Sequence, residues 1–222
     1  MPNDPANTSA ALTRAKNAAR PHRARYLWLA LACGLALSFA LDGAVMAVLK
    51  PLRDTELAHL LRHSIRWLGV GYIQALALLL LISIGAILGH RAKSAGTWAL
   101  LAFALAGATA AILKVVIHRP RPWVELPPPA AWMGYAHLHE YQSFPSGEST
   151  TSFAIAVALG AWFPWLRLPL VVVAVAVAAA RVVVGNHFPS DAWAGAMLGI
   201  AAGQWVTRLA AARSRQGEVA DA

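Results

Sequence analysis

Charge is what this 222-residue chain has least of. Only 13% of its residues are Asp, Glu, Lys or Arg, where a soluble domain of this size carries about a quarter. With 58% hydrophobic residues and a mean hydropathy of +0.52, the composition excludes an ordinary soluble domain and a disordered chain. Cysteine is nearly absent. The single Cys33 lies in the first apolar run, which excludes an intramolecular disulfide and a cysteine metal cluster. Acids are scarce too: 10 against 19 Lys and Arg, for a net charge of +9. Such a balance can mark a nucleic-acid binder, but here the bases are interleaved with apolar runs rather than gathered on one polar face. They read as topology signals and phosphate ligands, with no nucleic-acid partner. There is no internal repeat and no long linker, so the chain reads as one membrane domain.

What the chain has is long apolar runs. Six are long enough to cross a bilayer, which takes roughly 17–25 apolar residues each: about 26–49, 66–89, 97–117, 148–165, 169–184 and 189–210. An all-α polytopic bundle of about six transmembrane helices follows, because in lipid each backbone N–H and C=O must be satisfied within its own helix. Residues 1–25 form a polar tail with Arg14, Lys16, Arg20, Arg23 and Arg25; 26–210 form the membrane domain and 211–222 a C-terminal tail. The run after the first tail is long and lacks a small-x-small cleavage site, so it reads as an uncleaved span rather than a signal peptide. Residues 50–65 make a polar connection, His90–Gly96 a short basic turn, and His118–Ser146 a long proline-rich loop. Both tails, the 90–96 turn and Arg167 share one side, which the positive-inside rule makes cytoplasmic. The long loop then faces outward, to the periplasm or outside, as in a bacterial inner-membrane protein.

On that outer face the spans bring distant residues together. Lys114 closes the third span and Arg121-Pro122 follows it; Ser146-Gly147-Glu148 opens the fourth; Arg181 closes the fifth; His187 and Asp191 open the sixth. If helical geometry reaches back to His187, its i,i+4 spacing to Asp191 puts imidazole and carboxylate on one face. A His oriented by a carboxylate beside an Arg is a nucleophile or base next to an anion clamp. Lys and Arg at the ends of apolar spans are costly unless they serve a function. Backbone N–H groups at Ser146-Gly147 suit an anion at a helix start, and three cations suit the oxygens of a phosphoryl group.

These residues carry a resemblance to the type 2 phosphatidic acid phosphatase superfamily, which includes membrane lipid phosphatases and vanadium haloperoxidases. Its signature is K-x6-RP, PSGH and SR-x5-H-x3-D. The first part is complete from Lys114 to Arg121-Pro122; the second reads Pro145-Ser146-Gly147-Glu148, with Glu where the family has His; the third has Arg181, His187 and Asp191, with Ala180 where the family has Ser. The resemblance covers about 26–210 and implies a phosphatase. In it His187 attacks phosphorus to form a phosphohistidine, and Asp191 orients His187. Lys114, Arg121, Ser146, Gly147 and Arg181 hold the phosphoryl oxygens, with no metal and no cofactor. The haloperoxidases are soluble, so the membrane branch is the closer match. A lipid phosphate or diphosphate in the bilayer is the implied substrate.

Glu148 stands where the family places its general acid. Four readings follow: Glu148 itself works as an acid; the donor is His118, His137 or His139; the leaving group needs little acid help; or activity is weak. The third favours a diphosphate such as undecaprenyl diphosphate over phosphatidic acid, because a phosphate monoester leaves more easily than an alkoxide. A lipid phosphotransferase of the same superfamily and a non-enzymatic anion- or lipid-binding scaffold are the alternatives. Elsewhere, Arg119 reads as an interfacial or loop cation, and Asp42 as a structural partner of a base such as Lys50 or Arg66 rather than a supporting residue of the site. Trp123, Trp132, Tyr135 and Tyr141 read as an interfacial aromatic belt, and His137 and His139 as solvated.

Overall fold

The computed structural model of the protein describes residues 5–124 and 138–220, so Trp132, Tyr135 and His137 lie outside the described residues. The chain forms two units, Met1–Leu37 and Ser38–Ala222. The first is helical from Pro5 onward and carries the exposed Cys33; the candidate site belongs wholly to the second. The described elements are all helical. Six long helices match the six apolar runs: α1 Pro5–Leu49, α2 Gly71–Leu88, α3 His90–Ile117, α4 Gly147–Trp162, α5 Arg167–Val183 and α6 Pro189–Ala220.

Among the described residues, three segments are long and apolar enough by themselves to cross a membrane: Arg25–Asp54, His90–Ile117 and Pro164–Val183. The shorter, more polar α4 has a different reason for its composition. It packs against α3, α5 and α6, burying Ser149, Thr150, Thr151, Ser152, Ala154, Ala156, Ala158 and Gly160. A helix enclosed by its neighbours needs small side chains, not greasy ones. The core follows the same rule, with Ala99, Ala102, Ala106, Ala154, Ala158 and Ala202 around Leu78 and Val206. Large apolar side chains such as Leu76, Leu80, Ile112, Val116, Leu168, Val172 and Trp205 point outward instead. Small residues inside and large ones outside is the arrangement by which helices gain contact when the surroundings are as apolar as their own side chains.

Glycine sets the closest approach. Gly195, Gly199 and Gly203 recur every four residues along α6 and face α4; a Cβ on Gly199 would lie 2.2 Å from the Thr150 carbonyl oxygen and 2.9 Å from the Ala154 nitrogen. This contact matters for function, because Ser146 caps the start of α4 and Asp191 lies in the first turn of α6.

Two boundaries differ from the sequence reading. The span expected from residue 66 begins at Gly71, because Val70 is extended (φ −67°, ψ 121°). Arg66–Gly69 instead ends a connector of short helical turns that starts at Lys50. The break lets the chain run so close to the bundle that a Cβ on Gly69 would lie 2.7 Å from Val177 Cγ1 and 2.8 Å from Glu148 Oε2. The basic turn expected at 90–96 is already helix: α3 starts at His90, and the reversal is made at Gly89 alone, with φ +136°, where only glycine is comfortable.

Replacing Gly199 by Val is expected to lower stability by about 1–3 kcal/mol through overpacking, read as the thermal midpoint of detergent-solubilised protein. Gly107→Ala, whose new Cβ would make an ordinary 3.6 Å contact with Thr151, should leave that midpoint within error.

Candidate active site

The turn between α5 and α6 is built on the end of α5. The Arg181 carbonyl accepts from the N–H groups of Asn186 (3.0 Å) and His187 (3.2 Å). Gly185 makes the reversal at φ +78°, with the Arg53 side chain packed over it. His187 is thereby folded back beside Arg181, and both are buried. Pro189 then opens α6 as its first residue, a position where its missing N–H costs nothing.

Asp191 lies one turn on and is fully buried. A buried carboxylate is tolerated only when its oxygens are satisfied. Oδ1 accepts from Arg119 Nη1 at 2.6 Å; Oδ2 accepts from Ser143 Oγ at 2.6 Å and from the Phe188 N–H at 2.8 Å. Its distance to His187 Nδ1 is 3.7 Å, longer than a direct hydrogen bond, so the carboxylate faces the ring without a formed bond in this geometry. The Asp191 carbonyl in turn accepts from the Ser146 N–H at 2.9 Å, which joins the start of α4 to the start of α6.

The cations come from the other segments. Arg121 is buried and held by two carbonyls: Nε donates to His139 and Nη1 to Asn186, both at 3.0 Å. Lys114 Nζ donates to the Gln142 carbonyl at 2.6 Å, and its chain passes the Gly147 backbone, where a Cβ would lie 3.7 Å from Lys114 Cε. Glu148 Oε2 lies 2.7 Å from Arg181 Nε. Glu148 thus pairs with one of the site's own cations.

A cavity of about 480 Å³ opens among these groups, lined by Arg121, Glu148, Arg181 and His187 together with Arg62, His63, His139 and Asn186. Lys114, Ser146, Gly147 and Asp191 do not line it. Of the alternative proton donors, His139 lines the cavity and His118 does not; His137 lies outside the described residues. Arg62 and His63 come from the 50–65 connection, and no spacing signal links them to the three motifs.

Arg119 sits in the loop after α3, as expected, but it is not an idle interfacial cation: one guanidinium spans Asp191 and Asp42, with Nη2 2.7 Å from Asp42 Oδ2. Asp42 also accepts from the Ser190 N–H at 2.9 Å and from the Ser190 hydroxyl, so it supports the site instead of making a remote structural pair. The signal was present, since an acid inside an apolar run is costly enough to expect a purpose. Its partner was not predictable, because Arg119 lies 77 residues away.

Burial pushes the His187 imidazole down to about 4; the Asp191 carboxylate opposes this, and Lys114 and Arg121 reinforce it. Burial, then Arg121 and Lys114, lowers His139 as well. His187 is therefore a neutral base at physiological pH. Unfolded, it would take up a proton near pH 6.5, so the unfolded chain binds more protons between pH 6.5 and 4 and stability falls as pH drops through that window. The expected loss from this group is at most on the order of 3 kcal/mol. Thermal midpoints measured across the window should fall less steeply for His187→Asn than for the parent.

The family model described as the PAP2 superfamily matches residues 95–215. Two curated relatives, each named Lipid A 1-phosphatase, come from Rhizobium johnstonii and Rhizobium etli. Each is 32% identical over 130 residues, covering 52% of this chain and 46% and 49% of the respective relative. The match thus spans about half the length of those relatives. Among solved structures, Aquifex aeolicus LpxE aligns with a TM-score of 0.60 at 25% identity, over 76% of this chain and 95% of that one. The transmembrane PAP2-type phosphatidylglycerolphosphate phosphatase of Bacillus subtilis aligns with a TM-score of 0.62 at 25% identity, over 86% and 96%. With the family's match taking in more than half of the chain, including Lys114, Arg121, Ser146, Arg181, His187 and Asp191, the protein belongs to the PAP2 superfamily.

Proposed function

We propose that the protein is an integral membrane phosphatase that transfers the phosphoryl group of a lipid phosphate or diphosphate to His187 and then to water. The observation that carries this is the cavity itself, in which a buried, neutral His187 stands with Arg121 and Arg181. A neutral imidazole is nucleophilic, and two guanidinium groups match the charge that a transferring phosphoryl group spreads over its oxygens. Lys114 and the Gly147 N–H add positive potential beside the start of α4, while the Ser146 N–H is already taken by the Asp191 carbonyl. In the attack, His187 Nε2 forms the N–P bond as the P–O bond to the leaving group breaks; a water then cleaves N–P and returns the imidazole. Nδ1, the nitrogen nearer Asp191, carries the ring's proton, and the carboxylate stabilises its developing positive charge.

Glu148 sets the substrate class. Paired with Arg181 at 2.7 Å, its carboxylate acts as an acceptor that steadies a phosphate-binding cation, which leaves the departing oxygen without a proton from the second motif. Such a site suits leaving groups that depart with little protonation. Two lipid classes fit: a diphosphate such as undecaprenyl diphosphate, whose leaving group is a phosphate monoester, and a sugar 1-phosphate, whose leaving oxygen is anomeric. The names of the curated relatives favour the second.

Topology follows from charge. The tails 1–25 and 211–222 are assigned to the cytoplasmic side and the His187 cavity to the outer leaflet of a bacterial inner membrane, with about six helices crossing it.

Phosphate release by detergent-purified protein should be at least about 10³-fold lower for His187→Ala. The parent should act faster on lipid A 1-phosphate or undecaprenyl diphosphate than on phosphatidic acid or phosphatidylglycerol phosphate. A label from ³²P-substrate that is stable to alkali, labile to acid and absent from His187→Ala would identify the intermediate; passage of phosphate across liposomes without hydrolysis would overturn the enzyme reading. For Glu148→His, the rate on phosphatidic acid should rise about 10- to 100-fold relative to that on a diphosphate, as expected of a restored general acid. Equal rates on monoester and diphosphate, unchanged by the substitution, would sink the leaving-group account.

A further inference from the structure

Asp42, Arg119 and Ser190 form a buried charge network directly behind Asp191. The Arg119 fork reaches Asp191 Oδ1 with Nη1 (2.6 Å) and Asp42 Oδ2 with Nη2 (2.7 Å), and Nη1 also donates to Ser190 Oγ at 2.6 Å. Both oxygens of Asp42 are used, since Ser190 N–H donates to Oδ1 at 2.9 Å and its hydroxyl to Oδ2. The guanidinium lies over the Phe188 ring at 4.2 Å and the Phe39 ring at 5.1 Å. Asp42 is 5% exposed, and Ser190 and Asp191 are fully buried.

The charge count of this group is what points beyond a mere brace. Two carboxylates share one guanidinium, so the cluster carries a net charge of −1 behind the imidazole. Were Arg119 paired with Asp191 alone, the two would cancel, and a ring that turns cationic would face a neutral group. By drawing on the same guanidinium, Asp42 leaves negative potential at Asp191 for the ring of His187, and in a buried setting such a charge acts strongly. The network also fixes the ring's partner in space, because Ser190 and Asp191 open α6 and Phe188 precedes it.

We propose that Asp42 and Arg119 are positioning residues for the phosphoryl transfer. Together they hold the Asp191 carboxylate in place and keep it electrostatically available to His187, which makes the C-terminal part of α1 a member of the reaction centre. This rests on His187 being the nucleophile, as proposed above. Lys114, Arg62, Arg121, Arg181 and Glu148 are the other charged groups around the ring, with His63 and His139 as further titratable ones, and all are left untouched by the substitutions below.

The test compares the parent with Asp42→Asn, Arg119→Met, Arg119→Lys and the double variant Asp42→Asn/Arg119→Met as purified full-length protein. For Asp42→Asn, kcat for phosphate release should fall about 10- to 100-fold with KM within about threefold, because the network touches no substrate. Arg119→Met should lose at least as much, Arg119→Lys should recover part of it, and the double variant should be no worse than Arg119→Met, as for residues acting as one unit. Two readouts separate positioning from simple scaffolding. Thermal midpoints show whether the loss merely tracks stability. The ¹⁵N chemical shifts of the His187 ring, which need no turnover, should move in Asp42→Asn. An unchanged kcat in folded Asp42→Asn, independent additive losses, or unmoved His187 shifts would each overturn the proposal. A parent that releases no phosphate from any lipid would instead defeat the proposed function, while the ring shifts would still report on the network.

Discussion

Burying the Asp191 carboxylate is the constraint on which the rest of the structure depends. A charge with no access to water survives in a bundle of alanine, valine and leucine only if every oxygen finds a donor. The donors come from three directions: Arg119 after α3, Ser143 before α4 and the Phe188 amide before α6. The Asp191 backbone adds a fourth tie by accepting from Ser146. Satisfying one carboxylate therefore pins one end of each of three helices, and those are the ends that carry Lys114, Arg121, Ser146 and His187 or lie beside them.

Close packing lower in the bundle makes this possible. The glycines on α6 let α4 approach to backbone contact, and the alanine core brings α3 near both. A bundle filled with larger side chains would spread the helix ends, and a fixed guanidinium could no longer span two carboxylates. The short polar α4, which looks a poor membrane helix by composition, is the one its neighbours enclose. Thr150 and Thr151 donate to the carbonyls of Ser146 and Gly147 one turn back, at 2.8 and 3.2 Å, Ser149 donates to the Ser146 hydroxyl, and Ser152 accepts from Gln74. Function and packing thus draw on the same residues, and the site is as rigid as the α4–α6 contact.

Glu148 and Asp42 show two uses of acid in a basic site. Glu148 pairs with Arg181 in the cavity lining itself, while Asp42 pairs with Arg119 behind it. With few acids in the chain, each is matched to one cation: Glu148 to Arg181, and Asp42 to the Arg119 guanidinium that Asp191 also uses. Arg62 and His63 reach the same cavity from the connector, whose approach depends on the break at Val70 and the absence of a side chain at Gly69.

The helices and the chemical inventory of the site are written in the order of the residues. Long apolar runs have one stable form in lipid, and the spacings from Lys114 to Arg121 and from Arg181 through His187 to Asp191 are local properties of the chain. These are short-range facts, which periodicity and motif spacing record. The exact start of α2 escaped, because Val70 is extended in response to the bundle that Gly69 packs against, not to its own neighbours. Which acid meets which base depends on how the helices pack. Asp42 joins Arg119 across 77 residues, and His63 and Glu148 reach one cavity from separate segments. Such pairings are set by helix rotation and by the desolvation of particular charges, and neither leaves a period in the sequence.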